Sequence, residues 1–329
     1  MRTAIDLGCD DHQGDNRHPF LHPRYQTIDS TMSEPSLNFV DCPDAMGGHR
    51  MAYWSWGNPQ STHVVLCVHG LSRQGRDFDV LARALCARAG NAIRVICPDV
   101  VGRGQSDWLK DPMAYQIPNY ADDMLVLLAQ LKPTTLDWIG TSMGGLIGMV
   151  VSGQADLALP APVRRLVLND VGPSLQWQAL QRIGDYLGRT VQFASVQQAA
   201  DVLWTISSSF GPHTPAQWLE FSRHMVTPVA NGTDAVTLHY DPAIAVPFRA
   251  ETQESVARSE AQLWELYDHI TAETLLIRGV QSDLLSLETA HTMMQRGPKA
   301  RLVIFEGVGH APTFIAEHQV DAVADFLLA

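Results

Sequence analysis

The stretch WIGTSMGGLIG, residues 138–148, sets glycines and small polar residues around Ser142 directly after the apolar run TLDWI. Glycine weakens helices and strands alike, so its concentration where a strand pattern gives way to a helix pattern calls for a geometric reason. A strand that turns straight into a helix holds its turn residue in a strained backbone conformation costing about 1–3 kcal/mol, and residues two places away must lack bulk for the elements to approach. Gly140 and Gly144 occupy those places, giving G-x-S-x-G. The turn lifts the Ser142 hydroxyl above the sheet edge, and the Met143 N–H at the helix start points to where negative charge would develop. Gly145 and Gly148 then let the helix pack close against the sheet.

With 24 glycines in 329 residues, a chance G-x-S-x-G arises in roughly one chain in ten of this composition, so context must carry the weight. Short apolar runs alternate with helical patterns on both sides of it. THVVLCVHG (62–70), IRVICPDV (93–100), TLDWIGTS (135–142), RRLVLNDVG (164–172), ETLLIRG (273–279) and ARLVIFEG (300–307) each end in a loop-forming residue. Between them FDVLARALCARAG, YADDMLVLLAQLK and SLETAHTMMQRGP space apolar residues three and four apart, as helices covering a sheet do. Nearly continuous apolar strands are buried on both faces, which predicts an α/β fold with a doubly wound, mostly parallel sheet and chemistry at its carboxyl edge. SLNFVDC and HRMAYWSWG alternate with period two and predict an antiparallel hairpin at the sheet edge. Over residues 174–264 the alternation stops and the pattern turns mainly helical, with no clear strand. Trp177, Tyr186, Trp204, Phe210, Trp218, Phe221 and Tyr240 supply bulk there. We expect an inserted helical lid roofing a pocket, its aromatics serving chiefly as lid core, over a core made of residues 36–173 and 265–329.

Composition bounds the function. At 46% hydrophobic residues the chain can bury one large core, or a core plus an accessory lobe. The formal charge of −12, from 35 acidic and 23 basic residues without long runs, argues against nucleic acid and anionic membrane surfaces as partners. A weakly charged substrate fits better. Five cysteines, at positions 9, 42, 67, 86 and 97 and without CxxC spacing, suggest reduced thiols in a cytoplasm. Residues 1–35 lack a continuous apolar segment and are expected to be a disordered leader, with His12, His18 and His22 as solvated polar residues.

Three further motifs follow strands in a compatible order: HGLSRQGRDF (69–78), RGVQSDLLS (278–286) and GVGHAP (307–312). With these, residues 36–329 resemble the α/β-hydrolase superfamily and its lidded carboxylesterase-like members. The family's order of nucleophile, acid and histidine is matched by Ser142, Asp283 and His310. The resemblance implies oxyanion donors at the backbone N–H groups of Leu71 and Met143, no cofactor and no metal. It makes DVVGRGQSD (99–107) a structural turn. Asp170, in NDVGP, is the alternative acid, because some hydrolases of this type keep it after the neighbouring strand. Arg73, Arg76 and Asp77 are expected to form ion pairs that fix the oxyanion loop.

Serine is a poor nucleophile at neutral pH, so a histidine must accept its proton during attack, and a carboxylate must fix the histidine tautomer. These parts imply a cofactor-independent serine esterase acting on a small-molecule or oligomeric ester through an acyl-enzyme. C–C bond hydrolases and acyltransferases share the triad and stay open as alternatives, as does a binding module with a silent triad.

Overall fold

A computed structural model describes residues 34–230 and 234–329. The expected leader, with its three histidines, lies outside the described residues apart from Glu34 and Pro35. The hairpin forms as the period-two pattern predicts, with β1 (Ser36–Cys42) antiparallel to β2 (His49–Gly57). The alternation then runs β3 (His63–Val68), α1 (Asp79–Arg88), β4 (Arg94–Pro98), α2 (Ile117–Leu131), β5 (Thr135–Thr141), α3 (Met143–Gly153) and β6 (Val163–Asn169). An insert follows: α4 (Trp177–Tyr186), β7 (Gln192–Phe193), α5 (Val196–Ser207), α6 (Pro215–Arg223), β8 (Val226–Pro228), β9 (Val236–Leu238), α7 (Ala245–Ala250) and α8 (Gln253–His269). The chain ends with β10 (Glu273–Gly279), α9 (Leu287–Met293), β11 (Arg301–Phe305) and α10 (Glu317–Leu328).

The main sheet has the order β1-β2-β4-β3-β5-β6-β10-β11. It is parallel from β4 to β11, and β1 and β2 add an antiparallel edge. Strand β3 shows why its sequence is apolar throughout. Val64, Leu66 and Val68 enter the core on one face with Met124 and Leu127 of α2 and Ile147 of α3. Val65 and Cys67 enter the core on the other face with Leu81 and Leu85 of α1 and Val323 and Leu327 of α10. Each such aliphatic side chain contributes about 1.5–3 kcal/mol on burial, so a polar residue is costly on either face.

The insert departs from expectation in two respects. It contains a small antiparallel sheet, β7-β9-β8, rather than helices alone. Strands of two or three residues are too short to produce a period-two signal. The expected boundary at 264 falls inside α8, which packs against α3 of the core. The insert aromatics form edge-on and tilted contacts, Trp218 touching Trp204, Phe210 and Phe221.

Candidate active site

Ser142 caps the N-terminus of α3 with φ 52° and ψ −116°, a backbone conformation that L-residues rarely adopt. Close packing on both sides holds it there. A Cβ on Gly140 would run into the backbone of Gly144 and Gly145, and one on Gly144 into the Val68 carbonyl of β3. The Ser142 N–H donates to the Asn169 carbonyl at the end of β6 (3.0 Å), tying the turn to the next strand.

His310, in the loop after β11, lies with Nε2 3.0 Å from Ser142 Oγ. Its Nδ1 lies 2.8 Å from Oδ2 of Asp170, the first residue after β6. Asp170 is fully buried, and two more donors hold its carboxylate: the Gly279 N–H to Oδ1 (2.9 Å) and the Ser282 hydroxyl to Oδ2 (2.6 Å). The partner expected from sequence, Asp283, is elsewhere. Its side chain is half exposed and pairs with Arg182 of α4, whose Nε is 2.9 Å away. The loop after β10 does reach the site, but it arrives through Ser282, and the next residue turns outward. The carboxylate beside His310 is thus the alternative, Asp170, and not the expected Asp283. Two strands end in an acidic loop, and only three-dimensional placement decides which carboxylate meets the imidazole.

Above Ser142 and His310 lies a cavity of about 300 Å³, walled on the core side by Leu71 and Phe314 and on the insert side by Ile183, Val202 and Phe210 among others. The sequence profile of the alpha/beta hydrolase family matches residues 65–326. The chain belongs to the alpha/beta hydrolase family. It is 48% identical over 297 residues to a 3-hydroxybutyrate-oligomer hydrolase of Cupriavidus necator, covering 89% of this chain and 98% of that one. Among solved structures it resembles an alpha/beta hydrolase from Novosphingobium aromaticivorans, with 34% identity, a TM-score of 0.78 and coverage of 90% and 99%. An esterase from Exiguobacterium antarcticum, 19% identical with a TM-score of 0.64 and coverage of 89% and 99%, shares the fold.

In this alpha/beta hydrolase the loop after β3 is held from behind by buried polar groups. Among the described residues, neither the Leu71 nor the Met143 N–H donates to another backbone group, and Leu71 lines the cavity. The Leu71 carbonyl accepts from Nε of Arg103 (2.8 Å). That guanidinium is fully buried and also donates to the Val101 carbonyl (2.7 Å) and the Tyr120 hydroxyl (3.1 Å), and lies 3.6 Å from the Met143 sulfur. DVVGRGQSD is thus a turn, as expected, but one that carries a cation to both residues expected to supply oxyanion donors. His69 locks the same loop, with Nδ1–H donating to the Gly70 carbonyl (2.7 Å) and Nε2 accepting from the Val100 N–H (2.9 Å). Burial drives its pKa down to about 3, helped by the nearby Arg103 and Arg73 charges, so it stays neutral in that tautomer. Asp99 accepts from the N–H groups of Gly75 and Gln105 and from the Trp54 indole, and burial pushes its pKa up to about 6. Arg73 pairs with Asp77 through Nε (2.6 Å), and Arg76 pairs with Asp79 (2.7 Å). Arg76 therefore does not share the Asp77 carboxylate.

Sequence reading did not single out His69, Arg103 or Ser282 for any role at the site. The local signal was present only for His69, one residue before the oxyanion-loop glycine. Arg103 and Ser282 depend on loops that meet only in the fold.

Proposed function

We propose that this protein is a serine esterase in which Ser142 is the nucleophile, His310 the general base and acid, and Asp170 the residue that orients His310. The observation that carries the reading is the unbroken chain from Asp170 Oδ2 to His310 Nδ1 (2.8 Å) and from His310 Nε2 to Ser142 Oγ (3.0 Å) at the floor of a mainly apolar cavity. Ser142 Oγ attacks the ester carbonyl as His310 Nε2 takes its proton. The N–H groups of Leu71 and Met143 stabilise the oxyanion, where each donor is typically worth about 2.7–4 kcal/mol. His310 returns the proton to the leaving alcohol, and water then resolves the acyl-enzyme by the same route. Asp170 stabilises the imidazolium that forms.

The substrate class we assign is oligoesters of hydroxyalkanoic acids, on the likeness to the Cupriavidus necator relative named a 3-hydroxybutyrate-oligomer hydrolase. A cavity of about 300 Å³ holds an ester unit or two and not a polymer surface, and the insert serves as its lid. No helix among the described residues is long and apolar enough to cross a membrane. The unpaired, buried thiols of Cys42, Cys67, Cys86 and Cys97 support a cytoplasmic setting.

Incubation with linear 3-hydroxybutyrate trimer and with p-nitrophenyl butyrate tests the assignment. Wild type should release hydroxy acid monomer and dimer, and Ser142→Ala should remain folded and release neither. Labelling of the Ser142 peptide by a serine-directed phosphonate without trimer turnover would remove the substrate class and leave the triad standing. No labelling would remove both. Turnover of vinylogous diketones in place of esters would make the enzyme a C–C hydrolase.

A further inference from the structure

The end of β1, the start of β2 and the middle of α2 gather a second reactive cluster that ester cleavage does not use. Cys42 and His49 are direct partners in the hairpin register, and Asp123 sits on the buried face of α2 among Tyr120, Met124 and Leu127. One ligand atom from each of Cys42, His49 and Asp123 lies within 4.8 Å of the others. The side chains are withdrawn from solvent, with Cys42 1% and Asp123 4% exposed. His49 points Nε2 at Asp123 Oδ2 (3.0 Å) and Nδ1 at Asp44 Oδ2 (3.0 Å). Asp44 is itself fixed, its Oδ1 accepting from the N–H groups of Met46 (2.7 Å) and Gly48 (2.8 Å). A carboxylate on the outer ring nitrogen that turns the inner one toward other donors is the arrangement that orients metal-bound histidines.

We propose that Cys42, His49 and Asp123 form a binding site for one zinc-like divalent cation, with Asp44 orienting His49. The donors choose the metal: thiolate, imidazole and carboxylate suit Zn²⁺, whereas Ca²⁺ and Mg²⁺ take oxygen ligands. Tetrahedral bonds of about 2.0–2.3 Å put ligand atoms roughly 3.3–3.8 Å apart, so the site closes with movements of about an ångström. An open depression of about 460 Å³ leads from the surface to Cys42 and His49, with Asp41 and Asp107 among its lining residues. It gives an ion a way in on the side of Cys42 and His49. Burial and the neighbouring Asp123 carboxylate raise the Cys42 thiol pKa. Burial alone would lower that of His49, but the hydrogen bonds and charges of Asp123 and Asp44 outweigh it and raise it. A bound cation clamps the β1–β2 hairpin to α2. None of β1, β2 or α2 lines the cavity over Ser142, so the ion acts first on the packing of the hairpin against α2.

The test titrates chelator-stripped full-length protein with Co²⁺ and then Zn²⁺. One Co²⁺ per chain should bind with a near-ultraviolet thiolate-to-cobalt charge-transfer band and the visible bands of a tetrahedral site. Zn²⁺ should displace it and raise the melting temperature. Cys42→Ser should abolish the charge-transfer band, and Asp44→Asn should weaken Co²⁺ binding by about 10- to 100-fold without removing a ligand. No such band in wild type, or an unchanged band in Cys42→Ser, would overturn the proposal and leave the hydrogen-bonded cluster of His49, Asp44 and Asp123. Should Cys42→Ser fail to fold, Asp44→Asn decides alone, and an affinity equal to wild type counts against the site.

Discussion

Replacing Asp170 by asparagine is expected to cost this hydrolase about four orders of magnitude in kcat, while the same change at Asp283 leaves the rate within about threefold. Asp170 accepts three hydrogen bonds, from the Gly279 N–H, the Ser282 hydroxyl and His310 Nδ1–H. Asparagine supplies one acceptor and one donor group, so its NH₂ is set either against Gly279 at the Oδ1 position or against both Ser282 and His310 at the Oδ2 position. If it faces His310, the ring must take the other tautomer, with its proton on Nε2 pointing at Ser142, and it can no longer accept the serine proton. The analogous change in chymotrypsin-type triads lowers kcat about 10⁴-fold, which at about 1.36 kcal/mol per decade is roughly 5.4 kcal/mol of barrier. If the NH₂ faces Gly279 instead, that buried N–H is left unpaired at about 1–3 kcal/mol of stability, which a thermal melt detects separately. Asp283 and Arg182 are 49% and 45% exposed, and a surface pair of this kind is worth about 0–1 kcal/mol. The assay is steady-state hydrolysis of p-nitrophenyl butyrate for both variants, each checked for folding by its melt. A loss above about a thousandfold in Asp283→Asn, with Asp170→Asn within tenfold of wild type, would refute the geometric argument.

Two further outcomes follow from the groups behind the oxyanion loop. Arg103→Lys keeps the charge but cannot reach the Leu71 carbonyl, the Val101 carbonyl and the Tyr120 hydroxyl together. It should lower kcat by about 10- to 100-fold with KM nearly unchanged, the pattern of an interaction made only in the transition state; a change confined to KM would contradict it. His69 has a folded pKa lowered to about 3, so the unfolded chain binds a proton below about pH 6.5 that the folded chain refuses. Its contribution is present above pH 6.5 and lost as pH falls. The stability gap between wild type and His69→Gln in urea unfolding should therefore narrow by up to about 1.4 kcal/mol per pH unit below 6.5, and a constant gap would show that His69 is not neutral in the fold.

What could be read from the sequence follows from how local each signal is. The strand β3 and its parallel neighbours were legible because both faces are buried, and a run such as His63–Val68 then has almost no polar member. Ser142 was legible because its strained turn excludes side chains at Gly140 and Gly144, a constraint written within five residues. His310 was legible as the histidine of a glycine-rich loop after the last strand. The acid was not, because Asp170 and Asp283 both follow strands of the same sheet, and the choice rests on which loop faces the imidazole across 140 residues of chain. The sheet β7-β9-β8 was missed because its strands are shorter than one period of any pattern.

Arg103 shows why the least legible part of the site is also its most constrained. Taking a guanidinium out of water costs several kcal/mol unless its donors are met, and among the described residues Arg103 has no carboxylate partner. It is held instead by two carbonyls, a phenol, and the faces of Tyr120 and Tyr115, 4.9 and 5.7 Å from its centre. Such an arrangement tolerates no rotation of the Leu71 carbonyl, because turning it would strand a buried N–H. The same loop is pinned by His69 to Gly70 and Val100, and the turn beyond it by Asp99 to Gly75 and Gln105. Three buried ionisable side chains thus hold the loop from behind, which is a poor use of charge for stability alone. It is the expected form for a loop whose N–H must already point at the oxyanion before the substrate arrives, since reorganisation at the moment of reaction is what a preorganised site avoids.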